Sequence, residues 1–367
     1  MAEEWVGVIQ TTAPKYLKGA ADLTVRERLL LALLQQRGRI TFNNNSFEQN
    51  WDVEYAQPPV EAFGDGGTLN FSRNDLYRQA RLDWRGYKAT DMMTRKERGM
   101  NAGDVAIINR YDRIMPNLMK AIKDKFGAEL YVDGTAGGNE NRLHGTKSWS
   151  AQTSCTATDK IAKPGATYAG RSTAVAQGGT WTTALATKPN ASIASDWPDG
   201  NGDSEYDYYS PKLVNYSANN WGTSSTSWED NGERVIRKAV QWLTLGGGQE
   251  ARPDIIMLAG DLFFGYQNKQ STKQRIVVPY KPAEDLGFAG SMQQEGVGLQ
   301  QEFDCPTASG YCFNLDKMEL ASLFEDLFHS QGPDYDPRSD AWLFHVGFFG
   351  NLKFISPKWF AELKNYA

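Results

Sequence analysis

The 367-residue chain contains few of the side chains from which disulfide scaffolds and most catalytic sites are built. It has three cysteines and three histidines, which are Cys155, Cys305, Cys312, His144, His329 and His345. An odd number of widely spaced cysteines excludes a disulfide framework and gives no zinc-binding spacing, so a reducing compartment is expected. The histidines have no cysteine or carboxylate pair near them at ligand spacing. We therefore expect no metal, no other cofactor and no reactive thiol.

The sequence also lacks a long apolar segment and the basic, then apolar, start of a secretory signal. Its most apolar run, residues 255–266, contains Asp261 and has about half the length that a membrane helix needs. The N-terminal sequence Met-Ala-Glu-Glu-Trp is acidic rather than basic. These features predict a protein that is made in the cytoplasm and has no membrane partner.

Signature motifs of the common enzyme families are missing as well. The chain has no Gly-x-Ser-x-Gly elbow, no Walker loop and no His-Glu-x-x-His motif. Gly296 and Gly298 begin a dinucleotide fingerprint, but Gln301 occupies the position of its third glycine. Acidic pairs at residues 325–326 and 334–336 leave a carbohydrate-active enzyme open as an alternative. We expect a protein that is not an enzyme.

One acidic segment has part of the ligand spacing of a calcium-binding loop. Residues 199–207 carry oxygen-bearing side chains at alternate positions. Ser204 stands where such a loop requires glycine, and Ser210 stands where it requires glutamate. A hydrated acidic loop is therefore the favoured interpretation, and calcium binding is the alternative.

Aromatic residues are abundant, whereas the charges nearly balance. Trp, Tyr and Phe make up 12% of the chain, and the net charge is −5. Aromatic side chains supply large, rigid contact areas for cores or for interfaces between proteins. A weakly acidic chain disfavours charge-driven binding of nucleic acid over its whole surface.

Apolar periodicity predicts four helices. Residues 25–36 carry a wide leucine stripe that ends at Gly38, so this helix needs a partner surface in this chain or in another. Residues 103–127 form the longest pattern, in which Pro116 should kink the helix or split it. The other two predicted helices cover residues 231–245 and a segment that begins at residue 260.

Several strands are predicted around these helices. Residues 253–258 and 311–315 are short apolar runs, of which the first forms an α/β unit with its flanking helices. Residues 341–349 and 352–355 predict a closing hairpin around Gly350. Residues 186–229, rich in small polar residues, are interpreted as a surface insertion.

Residues 39–90 alternate loosely between aromatic and polar residues and contain a turn cluster at residues 57–67. This pattern predicts a long two-stranded excursion. From residue 73 to residue 98 there are eight basic and four acidic residues, a local net charge of +4. A solvated strand face explains this charge, and so does an arm that docks on an acidic surface of a neighbouring protein.

The order of these parts resembles the major capsid protein of tailed double-stranded DNA bacteriophages, whose lambdoid-type capsid fold is shared by encapsulins. The likeness is carried by residues 38–43, 51–53, 143–149, 168–172, 253–264 and 347–352. The resemblance implies an α+β fold with an N-terminal arm, an extended β-hairpin loop, a peripheral domain with a long spine helix, and an axial domain. The long polar segment at residues 186–229 is a departure from this pattern.

The resemblance also implies domain boundaries along the chain. The expected parts are an arm with a short helix at 1–38, the extended loop at 39–97, the peripheral domain with its spine helix at 98–150, the axial domain at 151–325 with the polar insertion near 186–229, and the return strands of the peripheral domain at 326–367.

By the same resemblance the protein is a structural component of the virion, synthesised in the host cytoplasm. Its copies would form pentamers and hexamers that close an icosahedral head shell around the genome, without sequence-specific DNA binding. Because no long helical prefix precedes the arm, a separate scaffolding protein is expected, with a portal and a decoration protein as further partners. Lys88 lies in the excursion, but no acid catalyst is identified beside it, so no covalent crosslink is assigned.

The candidate intersubunit contacts are Arg73, Arg78, Arg81, Arg85 and Lys88. We expect the four arginines to pair with acidic residues of an adjacent subunit, and the candidates are Glu319, Glu325, Asp326 and Asp334. An encapsulin-like compartment shell is the first alternative function, and a carbohydrate-active enzyme is the second. A tail or adhesin protein is disfavoured by the long helix and the α/β unit.

Overall fold

The computed structural model describes residues 28–42, 46–54, 77–100, 104–173, 175–176, 179–180, 209–219, 221–223, 225–272 and 292–366, and single positions between 62 and 73. The helices are α1 (Leu29–Gln36), α2 (Arg95–Met100), α3 (Asp104–Glu129), α4 (Trp228–Gly247) and α5 (Gly260–Thr272). The strands are β1 (Ile40–Thr41), β2 (Gln49–Glu54), β3 (Tyr77–Leu82), β4 (Arg85–Thr94), β5 (Gln152–Ser154), β6 (Lys163–Pro164), β7 (Thr167–Tyr168), β8 (Arg171–Ser172), β9 (Val175–Ala176), β10 (Gly179–Thr180), β11 (Lys212–Asn215), β12 (Ile255–Leu258), β13 (Met292–Gln294), β14 (Val297–Gln301), β15 (Ser309–Phe313), β16 (Met318–Ser322), β17 (His329–Asp336), β18 (Ala341–Phe354) and β19 (Ala361–Lys364). None of the described helices is long and apolar enough to cross a bilayer.

The chain divides into two compact units that are interleaved in sequence. The first contains the described parts of Met1–Phe47, together with Asp83–Gly145 and Glu319–Lys353. The second contains the described parts of Glu48–Leu82, Thr146–Met318 and Phe354–Ala367. The β2–β3 hairpin therefore groups with the second unit, although the strand that follows it belongs to the first.

Helix α1 ends as its sequence predicts. Gly38 has a φ of +65°, its N–H donates to the carbonyl of Gln35, and the N–H of Arg39 donates to the carbonyl of Leu34. These two bonds form the Schellman motif that commonly closes a helix at glycine. The leucines of the stripe are all buried, namely Leu29, Leu30, Leu31, Leu33 and Leu34. Their partner surface is therefore in this chain; positions 25–27 of the predicted helix lie outside the described residues.

Helix α3 is continuous over 26 residues, so Pro116 does not split it. One side of its C-terminal half is buried through Leu118, Ile122 and Phe126, spaced by three to four residues as in the predicted pattern. The ring of Phe126 packs edge-on against Phe348 of β18, with ring centroids 4.9 Å apart. This contact fixes α3 on the sheet of the first unit.

Strand β18 is the centre of the first unit's five-stranded sheet. It pairs antiparallel with β4 on one edge and with β17 on the other, while β1 joins β16 in parallel. The closing hairpin predicted around Gly350 is wrong, because Ala341–Phe354 is a single 14-residue strand. A Cβ atom at Gly350 would collide with the carbonyl oxygen of Ala321 and the ring of Phe348. The glycine thus permits close packing inside a strand rather than a turn.

The second unit is built on a six-stranded mixed sheet in the order β11-β19-β15-β12-β14-β13. Strand β12 is fully buried and pairs in parallel with β14 and antiparallel with β15. The apolar side of α4 contributes Val235, Ile236, Ala239, Val240 and Leu243 to the core of this unit. The predicted helix, strand and helix of the α/β unit are confirmed, with α4 starting three residues earlier than expected.

The glycine pair that resembled a dinucleotide fingerprint has a different role. Glu295 and Gly296, with φ of 53° and 72°, form the two-residue turn between β13 and β14. Two successive positive φ values are typical of a type I′ hairpin turn, which favours glycine.

The structure corrects the extent of the predicted polar insertion. Strand β11 pairs in parallel with β19 and is fully buried, and Trp221 and Trp228 are buried after it. Polar residues here are buried with partners: the hydroxyl of Ser217 donates to the side-chain oxygen of Asn215 at 2.8 Å. Residues 209–218 therefore belong to the core, whereas Asn219, Thr226, Ser227 and Glu229 are exposed. Residues 181–208, with the candidate calcium loop at 199–207, lie outside the described residues.

Candidate functional site

The β2–β3 hairpin carries two of the five predicted contact residues, Arg78 and Arg81. Its two strands pair antiparallel along their whole length. Val53, Ala80 and Leu82 are buried on one face, whereas Gln79 and Arg81 are exposed. Two antiparallel strands are present within the predicted excursion at 39–90, but its residues 85–90 belong to β4, which pairs with β18.

Both strands of the hairpin are hydrogen-bonded to other parts of the second unit. The indole N–H of Trp51 donates to the carbonyl of Ile355 at 2.8 Å. The backbone N–H of Arg81 donates to the carbonyl of Ala169 at 3.2 Å. Because one contact is made by β2 and the other by β3, both strands are held.

Two arginines, Arg81 and Arg171, donate hydrogen bonds to Gln79 on β3. The guanidinium of Arg171 donates from Nε and Nη2 to the backbone carbonyl of Gln79, at 3.1 and 2.9 Å. The guanidinium of Arg81 donates from Nε and Nη2 to the side-chain oxygen of Gln79, at 3.1 and 2.8 Å. No carboxylate among the described residues forms an ion pair with either arginine. Among the described residues, the positive charge of Arg81 and Arg171 is therefore not paired with an acid.

The other predicted contact residues fall into two groups. Arg73, Arg78 and Lys88 are exposed, and the ammonium group of Lys88 lies 5.5 Å from the centroid of the Phe349 ring. Arg85 is different, because only 15% of its side chain is exposed and it faces Asp83 at 3.9 Å. Arg85 therefore acts inside the first unit, which makes it a poor candidate for a contact with a neighbour.

Arg85 influences a buried histidine. Burial lowers the pKa of His144 to about 4, and the positive charge of Arg85 acts in the same direction. Nδ1 of His144 lies 2.8 Å from the side-chain nitrogen of Asn351, which donates the hydrogen bond to the neutral ring. His144 is thus a neutral structural residue, as its isolation in the sequence indicated.

A buried carboxylate at the end of α3 joins several parts of the first unit. Glu129 is completely buried and accepts hydrogen bonds from Arg142 at 2.7 Å, from Lys125 at 2.8 Å and from the hydroxyl of Tyr87 at 2.8 Å. Burial alone would raise the pKa of Glu129, but these donors outweigh burial and lower the pKa to about 2. The hydroxyl of Tyr87 in turn accepts the N–H of Leu143 at 2.6 Å. Strand β4, α3 and the following loop are therefore linked through one ionised group.

The acidic residues suggested as partners of the arginines differ in availability. Glu319 accepts the hydroxyl of Thr41 at 2.6 Å and lies 3.4 Å from the ammonium group of Lys353. It is therefore already engaged within its own chain. Glu325, Asp326 and Asp334 are exposed.

The two carboxylates of the acidic pair at residues 334–336 lie in different environments, because Asp334 is exposed and Asp336 is hydrogen-bonded within a turn. Asp336 accepts the hydroxyl of Ser339 at 2.7 Å and the N–H of Arg338 at 3.0 Å, so it stabilises the turn after β17. Within the described parts of the chain, no three His, Cys, Asp or Glu side chains could together hold a metal ion.

Large apolar side chains are exposed in and beside the hairpin. Phe47 is 99% exposed, Phe71 is 89% exposed and Tyr77 is 65% exposed. Exposed apolar residues that share one region commonly mark an interaction surface. We use the name hairpin surface for the exposed basic and aromatic residues on β3 and at the described positions before it: Phe71, Arg73, Tyr77, Arg78 and Arg81.

The three cysteines are free thiols. Burial raises the pKa of Cys155 to about 11 and that of Cys312 to about 12, and it raises the pKa of Cys305 as well. At neutral pH these thiols stay protonated and are poor nucleophiles.

Solved phage capsid structures share this architecture, whereas no protein-family model and no curated protein matches the sequence. A chain of the cyanophage A-1(L) capsid asymmetric unit aligns with 90% of this chain and 92% of its own, at 15% identity and a TM-score of 0.50. The capsid of a native GTA particle gives 91% and 90% coverage, 10% identity and a TM-score of 0.52. The capsid of Myoviridae phage XM1 gives 89% and 90% coverage, 10% identity and a TM-score of 0.51. The chain therefore has the fold of phage capsid proteins, and the expected α+β capsid fold is confirmed.

Sequence reasoning identified the exposed arginines of the hairpin but missed the residues that hold it. Arg171 and Gln79 are 92 positions apart, and the bond between them ends on a backbone carbonyl. No local pattern signals such a contact, because any residue could supply that carbonyl. The role of Glu129 was missed because two of its three partners, Tyr87 and Arg142, lie 42 and 13 positions away in sequence.

Proposed function

We propose that this protein is the major capsid protein of a tailed double-stranded DNA bacteriophage. It is a structural subunit that self-assembles into the icosahedral head shell around the genome and becomes part of the virion. The observation that carries the proposal is the capsid fold shared over about nine-tenths of the chain with two phage capsids and the capsid of a GTA particle.

We assign the parts of the chain within this function as the sequence suggested. The hairpin is the extended loop at 39–97, and α3 is the spine helix of a peripheral domain that comprises 98–150 and the return strands at 326–367. The axial domain is 151–325, which includes most of the six-stranded sheet. The first unit supports this assignment, because it combines α3 with β4, β17 and β18.

The hairpin surface is the proposed contact between subunits. Arg73, Arg78, Arg81 and Lys88 are exposed and lie in a segment of positive charge. We propose that the arginines meet Glu325, Asp326 and Asp334 of an adjacent subunit within pentamers and hexamers. Opposite charges across an interface favour the correct partner and the correct register. The net charge of −5 limits adhesion of the shell's subunits to DNA during packaging.

Electron microscopy of the purified full chain, expressed with its scaffolding partner where one is encoded nearby, tests the function. We expect closed shells with pentameric and hexameric capsomers. Monomers that never assemble and that hydrolyse carbohydrate would refute the proposal in favour of the enzyme. Shells that enclose a cargo enzyme and no DNA would favour the encapsulin alternative, which uses the same fold.

Charge reversal tests the proposed contact. Because Arg73 and Arg78 have exposed side chains, the double variant Arg73→Glu, Arg78→Glu is expected to leave the subunit folded. It should reduce the yield of closed shells about tenfold or more, since like charges would then face each other. The matched variant Arg73→Lys, Arg78→Lys keeps the charge and should assemble. Normal shell yield from the glutamate variant would contradict the contact.

The remaining partners follow from the same proposal. A separate scaffolding protein would set the shell size, a portal would occupy one vertex, and a decoration protein would bind the finished shell. Co-purification of such proteins with particles formed in the infected host provides the test of each.

A further inference from the structure

We infer that the turn at residues 168–171 is a clamp that fixes the base of the β2–β3 hairpin, with Arg171 as the positioning residue. We call this turn the 168–171 clamp. Its consequence for shell assembly rests on the proposed function, but the clamp itself is a property of the single subunit. It adds a residue outside the hairpin to the machinery that presents the hairpin surface.

The clamp is rigidly attached to the second unit. Tyr168 is completely buried, and its hydroxyl accepts the N–H of Phe354 at 2.9 Å. The carbonyl of Tyr168 accepts the hydroxyl of Tyr209, also at 2.9 Å. The rings of Tyr168 and Phe354 pack edge to face with centroids 6.0 Å apart. The first residue of the turn is therefore held by both its main chain and its side chain.

The turn itself has a strained backbone. Ala169 and Gly170 have φ of 51° and 73°, and they connect the two-residue strands β7 and β8. Alanine rarely adopts a positive φ because its Cβ then crowds the backbone. Such a conformation persists only where neighbouring contacts determine it. Here the tyrosine anchors determine it, and the result is that the carbonyl of Ala169 reaches the N–H of Arg81.

Three hydrogen bonds run from the clamp to β3. One joins the N–H of Arg81 to Ala169, and two join the guanidinium of Arg171 to the carbonyl of Gln79 at 3.1 and 2.9 Å. The clamp thus bonds to the backbone of Gln79 and Arg81, which lie on the same edge of β3. Hydrogen bonds from a charged guanidinium are stronger than those between neutral groups, and the planar fork also fixes direction.

The need for a clamp follows from the form of the hairpin. A two-stranded hairpin is marginally stable in water by itself, because it has no third strand and only one covered face. Fixing its base reduces the entropy that it would lose on docking against another subunit. Arg171 therefore preorganises the hairpin surface without being part of the contact.

Hydrogen exchange measured by mass spectrometry on the full chain, kept unassembled at low concentration, tests the clamp. In Arg171→Ala we expect the amides of β2 and β3 to exchange about ten to a hundred times faster, since charged hydrogen bonds of this kind are lost. Exchange in the buried strands β12 and β15 should not change. Arg171→Lys, which keeps one donor but not the fork, should show an intermediate rate.

Two controls separate the clamp from a general effect on stability. Arg237→Ala removes an arginine whose exposed side chain pairs with Glu233 and Glu295 in the same unit, and it should leave hairpin exchange unchanged. Unchanged hairpin exchange in Arg171→Ala would overturn the inference, and so would equal acceleration in β12. Wild-type protein that forms no shells yet shows the protected hairpin would refute the proposed function and leave the clamp intact. Shells formed normally by a variant with a fast-exchanging hairpin would show that preorganisation is not required for assembly.

Discussion

Glu129→Gln is expected to lower the free energy of unfolding by about 3 kcal/mol at neutral pH, because removing one partner from a buried ionic cluster leaves the others uncompensated. Glu129 is completely buried and accepts hydrogen bonds from Arg142, Lys125 and Tyr87. A glutamine can keep one acceptor oxygen but not the negative charge. Urea unfolding of the unassembled chain, followed by tryptophan fluorescence, measures the difference.

The pH dependence of this difference identifies its electrostatic origin. The pKa of Glu129 is about 2 in the folded protein, against an ordinary value of 4.5. A lowered folded pKa contributes stability that is fully present above about pH 4.5 and is lost as the pH falls towards 2. The gap between wild type and Glu129→Gln should therefore narrow over that range. A gap that is constant with pH would contradict the ionised state, and Glu325→Gln, at an exposed glutamate, serves as the control.

Trp149→Ala is expected to destabilise the second unit by about 3–5 kcal/mol, the range for truncating a buried large aromatic residue. Trp149 is completely buried, and its ring contacts those of Tyr311, Phe354 and Phe360 at centroid distances of 6.4, 5.8 and 5.7 Å. Such ring pairs add to the stabilisation from burial itself. Thermal unfolding by circular dichroism reports the loss.

Trp149→Phe is the matched variant for this prediction. The indole N–H of Trp149 has no hydrogen-bond partner among the described residues, so phenylalanine removes ring volume but no hydrogen bond. We expect a loss of about 1–2 kcal/mol, well below that of the alanine variant. An equal loss of unfolding free energy in the two variants would contradict this prediction, because ring burial would then not explain the effect of the alanine substitution.

Local signals in the sequence predicted the regular elements of both units well. The leucine stripe and Gly38 located the end of α1, and the apolar spacing located α4 and α5. The short apolar run before α5 is the fully buried strand β12. These elements were predictable because their pattern depends on neighbours within a few residues, where helix and strand periodicities are fixed by geometry.

The wrong predictions concern residue types that occur in more than one structural environment. Gly350 looked like a turn residue, but it lies inside β18, where any Cβ would collide with Ala321 and Phe348. The segment that ends at residue 229 looked like a solvated insertion, but Ser210, Asn215 and Ser217 inside it are buried with hydrogen-bond partners.

The sequence by itself determined the class of most elements and the basic two-stranded hairpin. These features depend on composition and on short-range periodicity, which a single chain displays directly. The capsid fold was predicted from the resemblance of the order of the parts to a known family. Only the tertiary structure decided which aromatic residues are core, which arginines remain exposed, and which distant groups hold the hairpin. Such choices depend on contacts between residues far apart in sequence, such as Arg171 with Gln79, and these contacts exist only after the chain has folded.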